Sequence, residues 1–380
     1  MLKWWIIIFT VIFLVIMCCF SVGAESDDKT ISVSAQSAFL LCVNNNSVVF
    51  EKNSDTRMSM ASTTKIMTTL ITLEHSQSDN KEVTFTKNMI AEGSSMYLKE
   101  GYKLRLSDLA TGMMTVSGND AANAAAISIA GSIENFSKMM NDKAKQIGME
   151  STNFVTPSGL DDENHYSTAR DMAYLMAYAM TNDNFADLTS KKNVKVDFIS
   201  PDDMSITYGN HNKLLSLYDY CNGGKTGYTK KSGRCLVTSA EKDGVKLIAV
   251  TLNAPDDWND HINMYNYGFS KLTAVNGVDK NYSIDADVVG GEKNTVKVKP
   301  VKSVDYVKSD SDTGEVTRKV IMDNFLYAPI EKGQVVGTVQ YYINDKKLCE
   351  VPLIAESQIE YKEIEKDFFD SICDFFKNIF

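Results

Sequence analysis

Basic clusters, zinc-type cysteine spacing and a histidine-served nucleophile are all missing from this chain of 380 residues. Lysine and arginine number 39 against 49 acidic residues, a net charge of −10, and no basic run offers the footprint that a phosphate backbone requires. Nucleic acid is thereby excluded as a partner, and the acidic balance suits solubility. The seven cysteines, at 18, 19, 42, 221, 235, 349 and 373, are spaced for neither a disulfide framework nor a metal site. They read as free or buried thiols, with Cys221 notable for its closeness to Lys225. Histidine occurs four times, and neither His165 nor His211 accompanies a nucleophile-elbow string, which argues against a Ser-His-Asp hydrolase.

A composition of 44% hydrophobic and 10% aromatic residues is enough for a sizeable core and two domains, and excludes a disordered chain. Residues 1–24 read as a secretory leader, with Lys3 first, an apolar core from Trp4 to Phe20 and the small-residue cleavage site Val22-Gly-Ala24. An uncleaved anchor is the alternative, and Met17 argues against lipid attachment at Cys18 or Cys19.

Beyond the leader, residues 25–276 read as one α+β domain. Phe39–Val43 and Ser47–Phe50 flank Asn44-Asn-Asn46 as a hairpin, helical patterns run from about 63 to 190, and three strand-like segments follow Lys225. The hairpin and those strands are expected to form one antiparallel sheet, with the helices as an insertion packed on it. Thr168-Ala-Arg-Asp171 has the shape of a helix-opening capping box. Residues 277–355, rich in short alternating runs, read as a small β domain. In 356–380, Ile364, Phe368, Ile372, Phe375 or Phe376, and Ile379 mark one apolar face of a helix suited to a membrane surface.

Three short strings carry the chemistry: Ser62-Thr-Thr-Lys65, Ser117-Gly-Asn119 and Lys225-Thr-Gly227. Each alone is weak, but the ordered trio is a strong signal. On a helix beginning near 62, the spacing of three residues puts Ser62 and Lys65 on one face, and a lysine held neutral by burial can deprotonate a serine. Ser62 at a helix N-terminus would also have free N–H groups nearby to stabilise an oxyanion. Ser117 and Asn119 fall in a loop between helices, where a hydroxyl can pass a proton and an amide can hold a substrate backbone. Lys225 and Thr226 on an edge strand can receive a carboxylate, and Gly227 lets the substrate backbone come close. The trio reads as a serine acyl-transfer site served by lysine.

With Gly93-Ser-Ser-Met-Tyr-Leu-Lys99, Thr156-Pro-Ser-Gly-Leu-Asp161, His165-Tyr-Ser-Thr-Ala-Arg-Asp171 and Asn210-His-Asn-Lys-Leu-Leu215, the chain resembles the low-molecular-mass penicillin-binding D-alanyl-D-alanine carboxypeptidases. The resemblance implies the penicillin-binding/β-lactamase-like transpeptidase fold. It implies Ser62 as nucleophile, Lys65 as general base, Ser117 as proton relay and Asn119 as the holder of the substrate amide. Lys225 would supply positive potential, Thr226 would contact the terminal carboxylate, and the N–H groups of Ser62 and Tyr228 would form the oxyanion hole. Some relatives add an arginine after the last of these strands, whereas residues 245–272 contain none. The carboxylate is then expected to rest on Lys225, Thr226 and Thr229.

The expectation is an exported enzyme, peripheral on the outer face of the bacterial cytoplasmic membrane, that trims the terminal D-alanine from peptidoglycan stem peptides. β-Lactams would acylate it, and no metal or organic cofactor is needed. A non-turnover penicillin-sensing or wall-binding module, a β-lactamase-like hydrolase and an endopeptidase are the alternatives.

Overall fold

Asparagine closes the first hairpin, because Asn46 tolerates a left-handed φ of 54° and Asn45 Oδ1 accepts the Ser47 N–H at 3.1 Å. The turn joins β1 (Ser37–Cys42) to β2 (Ser47–Lys52) in a computed structural model that describes residues 31–363. Three later strands, β3 (Cys221–Thr229), β4 (Gly233–Lys242) and β5 (Val245–Leu252), complete an antiparallel sheet of order β2-β1-β5-β4-β3. The hairpin and the three strands therefore meet as expected, and β3 lies at an edge.

β1 is buried along its whole length because both faces of the sheet are covered. On one face Phe39 and Leu41 join a core built from Ile66, Met67 and Leu70 of α1 (Lys65–Ser78) and Leu109 and Met113 of α2 (Leu106–Thr115). The same core takes in α3 (Asn119–Ala130), α4 (Ile133–Ile147), α5 (Ala169–Ala179) and α6 (Asp183–Ser190). Each fully buried large apolar side chain contributes roughly 1.5–3 kcal/mol. On the other face lies α7 (Asp257–Lys271), so close that a Cβ on Gly268 would stand 2.7 Å from Leu247 and 3.1 Å from Leu40. A continuous apolar strand is what such double cover requires.

Two expectations about local structure are corrected. Thr168 Oγ1 accepts the Asp171 N–H at 3.1 Å, but the Asp171 carboxylate turns away to Ser151 N and Thr152 Oγ1 at 2.9 and 2.7 Å. The N-cap exists without the returning half of the box. The β-rich segment also starts earlier than 277, since Leu272–Val278 continues directly from α7 and pairs with Val304–Ser309.

That segment runs past 355 as well. Its six-stranded sheet buries Val296, Val298, Leu353, Ala355, Ile330 and Ile359. Ile359 and Ile330 exchange backbone hydrogen bonds at 2.9 Å, and Tyr361 bridges to Gly291. Residues 356–363, expected to open the terminal helix, are thus extended, because burying Ile359 in the β core holds them there. The rest of that expected helix, 364–380, and the leader at 1–24 lie outside the described residues. No helix among the described residues is long and apolar enough to cross a membrane.

His261 on α7 is fully buried between the hydroxyls of Thr238 and Thr251 at 2.7 and 3.1 Å, and burial lowers its pKa from 6.5 to about 3. Below its ordinary pKa the unfolded chain gains a proton that the folded chain refuses, so stability falls as pH drops from 6.5 toward 3. By about pH 4.5 this one group is expected to remove about 2–3 kcal/mol, and urea unfolding of His261→Gln should show a correspondingly shallower acid loss.

Candidate active site

Ser62 stands in a one-turn 3-10 helix, Ala61–Thr64, that runs straight into α1. Two hydroxyls lock the turn: Thr63 Oγ1 donates to Met60 O at 2.6 Å, and Thr64 Oγ1 donates to Ala61 O at 2.8 Å. Ala61 is held at φ 46°, a left-handed conformation that a side chain disfavours by roughly 1–2 kcal/mol. Beneath it lies Gly159, where an added Cβ would fall 2.0 Å from Ala61 O. On the other side, a Cβ on Gly227 of β3 would stand 3.0 Å from both Met60 O and Ser62 N. The glycine expected to admit the substrate backbone therefore first admits the serine turn.

Lys65 is completely buried. Its Nζ lies 2.9 Å from Ser62 Oγ and 2.6 Å from both Asn119 Oδ1 and Ser158 O, and among the described residues no carboxylate contacts it. Burial, helped by the charge of Lys225 and opposed by that of Asp120, pushes its pKa well below the usual lysine range. Lys225 is 1% exposed, donates to Thr226 O at 2.9 Å, and is lowered by burial to about 7.

Ser117 and Gly118 make the turn between α2 and α3, and Asn119 is the first residue of α3. Ser117 takes φ 61° and lines the cleft with Ser62. Asn119 is engaged at both ends of its amide, since Nδ2 donates to Glu92 O at 2.6 Å while Oδ1 meets Lys65. It stands behind the cleft wall, with 4% exposure. The neighbouring Asp120 carboxylate accepts from Ser95 Oγ, Met96 N and Leu98 N at 2.6, 2.9 and 3.1 Å, pinning the 93–99 loop beside the site.

The cleft has a volume of about 300 Å³, with Ser62, Ser117, Thr226, Tyr228, Arg234 and Trp258 among its lining residues. Lys65, Asn119 and Lys225 lie beneath that surface, while Ser62, Ser117, Thr226, Gly227 and Tyr228 form part of it. Thr229 does not line it: its hydroxyl donates to Asp161 Oδ1 at 3.0 Å and shares a contact with Ser232. Cys221 is a free, partly buried thiol, and burial raises its pKa above the ordinary value.

His165 has a structural place. Its Nδ1 accepts the Val155 N–H at 2.9 Å, its Nε2 meets Thr64 Oγ1 at 2.8 Å, and burial holds its pKa near 4. Because Nδ1 is an acceptor, Nε2 carries the hydrogen, and the contact braces the turn that bears Ser62. Reading the sequence alone missed this brace, along with Gly159, Asp120, His211, Arg234, Asp257 and Trp258. Asp120 stands next to Ser117-Gly-Asn119, and Gly159, His165 and His211 fall within strings that carry the resemblance; Arg234, Asp257 and Trp258 reach the site through tertiary packing alone.

Residues 23–256 match the family model described as D-alanyl-D-alanine carboxypeptidase, and 274–361 match that of the penicillin-binding protein 5 C-terminal domain. Among curated relatives, the D-alanyl-D-alanine carboxypeptidase DacF of Bacillus subtilis is 31% identical, with 90% of each chain covered. DacC of Escherichia coli, of the same description, is 32% identical, covering 93% of this chain and 90% of that one. Among solved structures, penicillin binding protein 5 from Haemophilus influenzae superposes with a TM-score of 0.68 at 29% identity, covering 87% of this chain and 99% of that one. With a lysine-served serine, a shared two-part architecture and a matched model over most of its length, the chain belongs to the serine D-alanyl-D-alanine carboxypeptidase family.

Proposed function

We propose that this protein removes the terminal D-alanine from peptidoglycan stem pentapeptides through an acyl-enzyme on Ser62. The observation that carries the reading is the contact of 2.9 Å between Ser62 Oγ and a lysine with no access to water. A neutral amine has two N–H donors and one lone pair. Asn119 Oδ1 and Ser158 O take the donors, which leaves the lone pair for the Ser62 hydroxyl. Lys65 then accepts the serine proton as Oγ attacks the penultimate D-alanine carbonyl. The N–H groups of Ser62 and Tyr228 receive the oxyanion. Ser117, on the cleft wall, passes a proton to the leaving amine, D-alanine departs, and water hydrolyses the ester. Asn119 acts here chiefly by orienting Lys65. A β-lactam amide presents the same carbonyl to Ser62, and neither route needs a metal or organic cofactor.

The leader at 1–24 and the apolar face of 364–380 support export and attachment to the outer surface of the cytoplasmic membrane. The β-rich segment from Leu272 to about 361 would then hold the catalytic part, from 25 to 271, away from the lipid.

Purified protein given a diacyl peptide ending in L-Lys-D-Ala-D-Ala is expected to release D-alanine continuously, and Ser62→Ala to release none. Protein that acylates with penicillin yet frees no D-alanine would sink the carboxypeptidase reading in favour of a sensor. Gly159→Ala drives a methyl group into Ala61 O, and displacing the nucleophile by about 1 Å should slow acylation by about 100-fold, as read with a fluorescent penicillin. Removing the charge of Lys225 raises the pKa of Lys65, so the ascending limb of the acylation-against-pH profile should move to higher pH in Lys225→Gln.

A further inference from the structure

A peptide ending in D-alanine carries a carboxylate at neutral pH, and a site that prefers free termini needs a cation facing the cleft. Neither active-site lysine fits. Lys65 is turned to Ser62, Asn119 and Ser158, while Lys225 is buried and spends a hydrogen on Thr226 O. Thr229, the other expected contact, is occupied by Asp161 and Ser232.

The cleft does hold a guanidinium, from a strand where neither the motifs nor the resemblance placed one. Arg234, the second residue of β4, lies directly opposite Tyr228 of β3, so the two side chains share a face of the sheet. Its Nε and Nη2 both donate to a single oxygen, Asp257 Oδ1, at 3.1 and 2.6 Å. Asp257 is 3% exposed at the start of α7, whereas the Arg234 side chain is 42% exposed. Trp258 supports the group, with Cζ at 5.6 Å from its ring centre. Among the described residues Nη1 has no hydrogen-bond partner, so one edge of the fork is fixed while Arg234 lines the cleft.

We propose that Arg234, aimed by Asp257, binds the terminal carboxylate of the substrate together with the Thr226 hydroxyl, and so sets the preference for a free C-terminus. This rests on Ser62 being the nucleophile of the same cleft. A guanidinium meets a carboxylate through parallel charge-assisted hydrogen bonds, which neither a threonine nor a buried amine reproduces.

Two D-alanyl thioesters with the same acyl group test it, one whose leaving group ends in a carboxylate and one whose leaving group ends in a carboxamide. The full-length wild type should favour the acid by about 30-fold in kcat/KM. Arg234→Gln should bring the acid down to the level of the amide, with the amide itself changed by less than about 3-fold. Arg234→Met, which keeps an unbranched side chain of similar length without the charge, serves the same comparison should the glutamine variant not fold. A variant that retains the preference, an equal fall on both substrates as expected of a merely structural ion pair, or a wild type blind to the carboxylate overturns the proposal. Failure of the underlying reading shows separately, as hydrolysis that survives Ser62→Ala.

Discussion

The complete burial of Lys65 is the constraint on which the rest of the catalytic domain depends. An isolated ammonium in such a place carries a desolvation cost of several kcal/mol, and the least costly relief is to lose the proton. The surroundings suit that outcome, offering two oxygens and one hydroxyl but no carboxylate contact among the described residues. Exclusion of water requires a lid on every side. The α1, α2 and α3 helices supply it with the apolar core around Met67, Met113 and Ala121, and the 156–161 segment adds a carbonyl from Ser158. A fold that leaked water here would restore an ordinary lysine.

The same burial explains why so much strain gathers within a few residues. Ala61 at φ 46°, immediately before the first motif, and Ser117 at φ 61°, the first residue of the second, each cost roughly 1–3 kcal/mol. Both turns bring a hydroxyl to a cleft whose other wall is a rigid strand. Gly159 and Gly227 are the complementary half of that arrangement, since their missing Cβ atoms leave room for Ala61 O and Ser62 N. His165, neutral and clamped between Val155 N and Thr64 Oγ1, holds the turn without touching the reacting atoms. Histidine braces the turn that carries Ser62, and the side chain in contact with Ser62 Oγ is a lysine.

The edge position of β3 gives the cleft its open side. With β4 behind it and α7 beyond, the edge places Thr226 and Tyr228 next to Arg234, Asp257 and Trp258. Separate parts of the chain therefore line the one cleft, among them the serine turn and the start of α7. The residues that line the cleft all come from the part of the chain before the β-rich segment.

Much of this was legible in the residues. The ordered motifs named Ser62, Lys65, Ser117, Asn119, Lys225 and Thr226, because spacing along a helix or strand is a local property that survives without coordinates. The α+β architecture followed from periodicity for the same reason. Element ends were less legible: Leu272 and Ile359 belong to the β-rich segment because of pairing with distant strands, which no local pattern encodes. The position of Asn119 behind the wall, the withdrawal of Thr229 to Asp161 and the approach of Arg234 to the cleft all depend on which groups sit within about 3 Å across long sequence separations. The sequence by itself determined the chemistry, since residue type and local spacing set what each group can do. Tertiary structure alone decided which lysine is dry, which threonine faces the cleft and which arginine lines it, because burial and partnership belong to the packed chain.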